Sequence, residues 1–301
     1  MKKIIVIVGA TASGKTGLSI KLAKAFNGEV ISADSRQVYK QMDIGTAKIT
    51  KKEMERIPHY LLDVASPKKK FTVAQYRKLG AKALKAIFKK EKIPIVCGGT
   101  GFYIQALIDG IVMPEVKPNW RLRKELEKKT AKELFEMLKK ADPRRAKNID
   151  KNNCRRLIRA IEIAVETKEP VPILKSNPLP YPVLFLGVQK DPKRLKKDIE
   201  KRFYLWLKQG LLNEIKKLRK SGVSWKRIEE FGMHYKAFAL YLQNKITKEQ
   251  AEEKSLRELW QYTKRQATWF KRDKRIVWIK NWAQAKKETK IFLSKEEKNK
   301  N

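Results

Sequence analysis

The chain has 301 residues, with 71 Lys and Arg against 32 Asp and Glu, a formal net charge of +39. That length suggests about two domains, and 42% apolar residues in regular hydrophobic periods exclude wholesale disorder. A charge of +39 costs self-repulsion in a compact state and points to a polyanionic partner, nucleic acid before an anionic membrane surface; the plain alternative is a lysine-rich proteome.

The first apolar run, Ile4 to Val8, reads as a buried strand and stops at Gly9, too short for a secretory signal. No run approaches the roughly 18 apolar residues of a spanning helix. A cytoplasmic protein with no membrane partner is expected. Cys97 and Cys154 stand far apart without ligands at metal spacing, so neither a disulfide framework nor a zinc site is expected.

Directly after the first strand, Gly9-Ala10-Thr11-Ala12-Ser13-Gly14-Lys15-Thr16 satisfies G-x-x-x-x-G-K-[ST] and leads into a helical period at Leu18, Leu22, Ala25 and Phe26. Strand, loop and helix in that order are the context of a phosphate loop. Backbone N–H groups can turn inward around phosphate oxygens, Lys15 supplies a mobile charge, and Thr16 can ligate Mg²⁺. A di- or triphosphate is expected to bind at Gly9 to Thr16.

A second strand, Val30 to Ala33, delivers Asp34. A carboxylate beyond the end of a strand lies where the crevice of an open α/β sheet forms, and could accept a proton beside the phosphate loop; a helix cap is the competing reading. After a helical period from Val73 to Phe88, the strand Ile93 to Cys97 ends in Gly98-Gly99-Thr100-Gly101. An ordinary nucleotide hydrolase would end such a strand in an acidic magnesium ligand. Its absence makes the bound diphosphate a candidate leaving group.

From about Met113 to Pro182 the strand signal gives way to Lys/Glu-rich helical patterns and a Pro-rich stretch; strands resume at Val183 to Val188 and Ile276 to Ile279. The expected fold class is α/β: a P-loop-type parallel sheet core flanked by helices, residues 1–113 and 183–281, with an all-helical insertion domain at 114–182 and a charged tail at 282–301.

These residues carry a resemblance. Gly9 to Thr16, Asp34-Ser35-Arg36-Gln37-Val38-Tyr39, Met42-Asp43-Ile44-Gly45-Thr46-Ala47-Lys48, His59 to Val64, Gly98-Gly99-Thr100, Arg156 to Glu162 and Lys264-Arg265-Gln266-Ala267-Thr268-Trp269-Phe270 occur in the order found in the tRNA dimethylallyltransferases, which the chain resembles from residue 2 to about 280. The resemblance implies transfer of a dimethylallyl group from dimethylallyl diphosphate to N6 of adenosine 37 in the anticodon stem-loop of tRNA, with release of diphosphate, a requirement for Mg²⁺, and an insertion that embraces the RNA. It implies Asp34 as general base, Gly9 to Thr16 as diphosphate cradle, Thr100 as the hydroxyl positioning the adenine amine, and Arg202 as an arginine assisting the leaving group. Asp34, Ser35, Arg36, Gln37, Thr100, Arg155, Arg156, Leu157, Ile158, Arg159, Lys264, Arg265, Gln266 and Trp269 are its expected tRNA contacts. A monomer is expected.

Elementary chemistry asks for the same parts. An adenine amine is a weak nucleophile, so it must be held against the allylic carbon, lose a proton, and have the charge on the departing diphosphate neutralised. A base inside an RNA stack cannot reach such a pocket and must swing out. At 100° per residue, Arg155, Arg156 and Arg159 share one arc, opposite Leu157, Ile158 and Ile161. Tyr262, Arg265, Gln266 and Trp269 share another, where Trp269 reads as core or as a stacking platform. One segment departs from the family: Phe231-Gly232-Met233-His234-Tyr235-Lys236 replaces a Gly-Tyr-Lys/Arg element, and His234 reads as a polar surface or satisfied core residue. Two competing functions are prenylation of free adenine nucleotide, which would need neither the insertion nor +39, and an RNA-binding NTPase switch, which Gly98-Gly99-Thr100 disfavours.

Overall fold

A computed structural model describes residues 2–111, 114, 116, 118–172 and 175–295. Six strands, β1 (Ile4–Val8), β2 (Gly28–Ser32), β3 (His59–Tyr60), β4 (Ile93–Cys97), β5 (Val183–Val188) and β6 (Ile276–Ile279), form one parallel sheet in the order β3-β2-β4-β1-β5-β6. Strand alternation sends Ile5 and Ile7 into one core and Ile4, Val6 and Val8 into another, so both faces must be covered. The helices α1 (Lys15–Ala25), α2 (Val73–Lys89) and α3 (Gly101–Ile108) follow the first strands. At the start of α2, Thr72 and Gln75 form a reciprocal capping box that fixes where the helix begins.

Contacts divide the chain into two compact units, Met1–Gly110 with Pro178–Asn301, and Ile111–Asn177. The smaller unit comprises α4 (Trp120–Leu126), α5 (Ala131–Ala141), α6 (Pro143–Lys147) and α7 (Cys154–Thr167) around its own core of Leu126, Leu134, Leu138, Leu157, Ile161 and Ile163. Met113, where the helical segment was expected to begin, lies outside the described residues. Inside this unit Glu162 is fully buried, held by Arg123 Nε at 2.7 Å and Nη2 at 2.6 Å, by the Asn119 N–H at 2.7 Å, and by Arg159.

The larger unit continues with α8 (Pro192–Gln209), α9 (Leu211–Lys220), α10 (Trp225–Glu230), α11 (Met233–Leu242), α12 (Lys248–Lys271) and α13 (Trp282–Ser294). The last of these corrects the expected tail at 282–301. Asn281 caps α13 by accepting from the Gln284 N–H at 3.0 Å, Ala285 and Thr289 are fully buried, and Phe292 packs on the sheet. That narrow stripe at i, i+4 and i+7 suffices to dock a helix whose other positions are mostly polar. Residues 296–301 lie outside the described residues. Among the described residues no helix is long and apolar enough to cross a membrane.

Candidate active site at the carboxyl ends of the central strands

Strands β2, β4 and β1 are neighbours, and the register sets Cys97 opposite both Ile7 and Ser32. The three chain exits after Val8, Ser32 and Cys97 therefore lie side by side, which brings the phosphate loop, Asp34 and Thr100 to one crevice. Backbone bonds stitch the exits together: the Ala33 N–H donates to Cys97 O at 2.8 Å, and the Thr100 N–H donates to Ala33 O at 3.1 Å.

The loop ends at the N-terminus of α1, where the unpaired helical N–H groups favour an anion. Lys15 Nζ folds back onto Ala10 O at 2.6 Å, and Ser13 Oγ is buried without a hydrogen-bond partner among the described residues. Burial, reinforced by the charge of Arg202 and opposed by Cys97 and Asp34, lowers the Lys15 ammonium from 10.5 to about 8. Arg202, on α8, is itself lowered by burial. Lys190, just past β5, donates to Ala12 O at 3.0 Å and is paired with Asp198. Lys190 belongs to no sequence motif, and its place beyond the end of a strand adjoining β1 is the signal that marks it.

Asp34 Oδ1 accepts the N–H groups of Arg36 at 2.8 Å and Gln37 at 3.4 Å, an Asx turn that fixes the carboxylate. Thr100 Oγ1 accepts the Ser35 N–H at 3.0 Å. The Tyr262 phenol is pushed up to about 12, first by burial and then by the charge of Asp34. The charges of Asp34 and Arg202 both reach Lys15, and Thr100 is bonded to the turn that carries Asp34.

The structure places the expected tRNA contacts in different surroundings. Leu157 and Ile158 are core residues of the helical unit, because α7 buries the face they occupy. Arg159 is only half-exposed and is committed to Glu162 and to Val116 O at 3.0 Å. Gln37 spends its amide on Thr46 O and Ala47 O, both at 3.2 Å, and accepts from Ser32 Oγ at 3.0 Å. Arg36 donates from Nε to Phe231 O at 3.0 Å. Trp269 packs against the core of the larger unit. Arg155, Arg156, Lys264 and Arg265 are exposed. His234 is buried, with its pKa lowered to about 3 chiefly by desolvation, so it is a neutral core residue.

Gln266, one of the expected tRNA contacts, is buried and bonded within the protein. Its Oε1 accepts the Thr11 N–H at 2.8 Å and its Nε2 donates to Gly99 O at 2.9 Å, clamping the phosphate loop to the Thr100 turn. A Cβ at Gly99 would stand 2.2 Å from Gln266 Nε2, so the clamp requires glycine there. Gln266→Met keeps most of the volume and removes both bonds; leaving the buried Gly99 carbonyl and the part-buried Thr11 N–H unpaired is expected to cost roughly 1–4 kcal/mol, read as a lowered denaturant midpoint. An unchanged midpoint would show the clamp to be dispensable.

Residues 37–273 match the family described as IPP transferase. The chain is 41% identical to a tRNA dimethylallyltransferase of Acetivibrio thermocellus, covering 93% of this chain and 92% of the relative. It is 39% identical to one of Halothermothrix orenii, over 96% and 93%. Among solved structures, a tRNA isopentenylpyrophosphate transferase of Bacillus halodurans aligns with a TM-score of 0.73 and 35% identity, over 98% of this chain and 96% of that one. A eukaryotic dimethylallyltransferase acting on tRNA aligns with a TM-score of 0.77 and 29% identity, over 100% and 82%.

Proposed function

The chain belongs to the IPP transferase family, and from that premise we propose that it transfers a dimethylallyl group from dimethylallyl diphosphate to N6 of adenosine 37 in the anticodon loop of tRNA, releasing diphosphate, as a cytoplasmic monomer. The observation that carries this reading is the convergence of an anion-binding loop, a fixed carboxylate and a hydroxyl at the ends of β1, β2 and β4, where β4 ends in Gly98-Gly99-Thr100 in place of an acidic magnesium ligand. Asp34 takes the proton from the attacking amine, Thr100 holds the purine, and Lys15 and Arg202 receive the charge that grows on the leaving diphosphate.

Thr16 offers an exposed hydroxyl in the first turn of α1, and the described residues contain no cluster of three or more His, Cys, Asp or Glu that could hold a metal. Such a donor set suits Mg²⁺ held chiefly by phosphate oxygens and water, with Thr16 as its protein ligand. Bound there, the ion would add positive charge at the departing diphosphate.

The test is mass spectrometry of tRNA nucleosides after incubation with dimethylallyl diphosphate and magnesium. N6-(dimethylallyl)adenosine is expected; unaltered anticodon stem-loops with brisk ATP cleavage, or label in free nucleotide, would overturn the reading.

For RNA binding, Arg155→Ala and Arg156→Ala should each reduce the salt slope of tRNA affinity by roughly 0.7–0.9, since each removes one exposed cation. Arg159→Ala should leave that slope unchanged and lower the melting temperature instead, because it strips a partner from buried Glu162. Equal slopes in all three variants would remove the exposed pair from the interface.

A further inference from the structure

Glu214, on α9, is 8% exposed, and its carboxylate is saturated by one loop and one tyrosine. Oε2 accepts the N–H groups of Asp43 and Ile44, both at 2.7 Å. Oε1 accepts the Gly45 N–H at 3.2 Å and the Tyr235 hydroxyl at 2.7 Å. Three consecutive backbone N–H groups on one anion make a nest, the device that elsewhere holds phosphate, and here the anion is a side chain of the protein itself. The fit is close: a Cβ at Gly45 would come within 2.7 Å of both Tyr235 Oη and His234 Nε2.

The loop held in this way runs on to Thr46 and Ala47, whose carbonyls receive the Gln37 amide. The Gln37 N–H in turn donates to Asp34 Oδ1, closing the Asx turn that orients the carboxylate. The 231–236 segment braces the same stretch, through Tyr235 on Glu214 and Phe231 O on Arg36. Within that segment Phe231 and Tyr235 are committed to supporting the loop.

We propose that Glu214 is a positioning residue for the transfer reaction: by fixing the turn at Asp43, Ile44 and Gly45 it sets, through Gln37, the direction in which Asp34 faces the attacking amine. This rests on the reading of Asp34 as proton acceptor. The diphosphate cradle, Gly9 to Thr16, is not among the partners of Glu214, so the proposal separates turnover from donor binding.

In Glu214→Gln the amide NH₂ must face N–H donors. The expected result is a 10- to 100-fold lower kcat per donor-binding site, with KM for dimethylallyl diphosphate within twofold of the unsubstituted protein. Tyr235→Phe removes one bond of the four and leaves the nest; a several-fold fall in kcat is expected, and the double variant should be no slower than Glu214→Gln alone, since both act along one path. Stoichiometric titration with the donor counts folded sites, so loss of protein cannot imitate loss of rate. A kcat within twofold of normal per titrated site in Tyr235→Phe, or parallel changes of kcat and donor KM, would overturn the proposal and leave Glu214 a structural residue. Absence of transfer by the unsubstituted protein would overturn the underlying activity, and this proposal with it.

Discussion

Asp34→Ala should turn over about a thousandfold more slowly than the unsubstituted protein, the middle of the range for losing a positioned proton acceptor, while tRNA affinity stays within several-fold. The Asx turn complicates the alanine variant, because removing Oδ1 also frees the N–H groups of Arg36 and Gln37. Asp34→Asn separates the two roles. Its amide oxygen can still accept those bonds and keep the turn, yet it cannot take a proton from an amine. If Asp34 only shapes the turn, the asparagine variant works normally and the alanine variant fails; if it is the base, both fail alike. Single-turnover transfer to an anticodon stem-loop measures this without interference from product release, and a fast asparagine variant would remove Asp34 from the chemistry.

Much of this site was legible in the sequence because apolar runs and special loops carry strong signals. The strands at Ile4, Ile93, Val183 and Ile276 were recoverable from β-branched runs, and the parallel sheet followed from their alternation with helices. β3 was not recoverable: two residues, His59 and Tyr60, pair with Val30 and Ile31 and are too few to show any period. The inward face of α12 was hidden for another reason. It buries Ala251, Ser255, Leu259, Thr263, Gln266 and Phe270, a stripe at helical spacing in which half the members are polar. Hydroxyls satisfied by carbonyls one turn back, as Ser255 is by Ala251 and Thr263 by Leu259, make such a stripe invisible to hydropathy.

The expected RNA contacts on α7 divide by face. Helical arithmetic already set Leu157 and Ile158 on the face opposite Arg155 and Arg156, and the structure buries them there. A helix offers a partner one face, and on α7 Arg155 and Arg156 are exposed on it. Gln37 and Gln266 are polar side chains near the crevice whose amides bond backbone groups within the protein, a pairing that no motif or hydropathy pattern reveals.

Lys15 supplies the second large effect, through the protonation it must have when diphosphate arrives. Burial holds its pKa near 8, with Arg202 pressing the same way and Cys97 and Asp34 pressing against it. A diphosphate beside it favours the ammonium, so the bound form has the higher pKa and, above pH 8, binding takes up a proton. The dissociation constant for dimethylallyl diphosphate should therefore be nearly flat from pH 7 to 7.5 and steepen above 8 towards about tenfold per pH unit. The unliganded fold has the opposite leaning. Its Lys15 gives up a proton that the unfolded chain keeps, so this group adds stability as the pH rises from about 8 to 10.5. Lys15→Met should weaken donor binding by about one to two orders of magnitude, the loss expected for charge-assisted hydrogen bonds, and should abolish the steepening. Calorimetry at pH 9 in two buffers of different ionisation enthalpy reads the proton directly: uptake approaching one per donor in the unsubstituted protein, and none attributable to this site in the variant. A dissociation constant that stays flat to pH 10 would mean that Lys15 meets the diphosphate already charged, and that the loop opens to water before the donor enters.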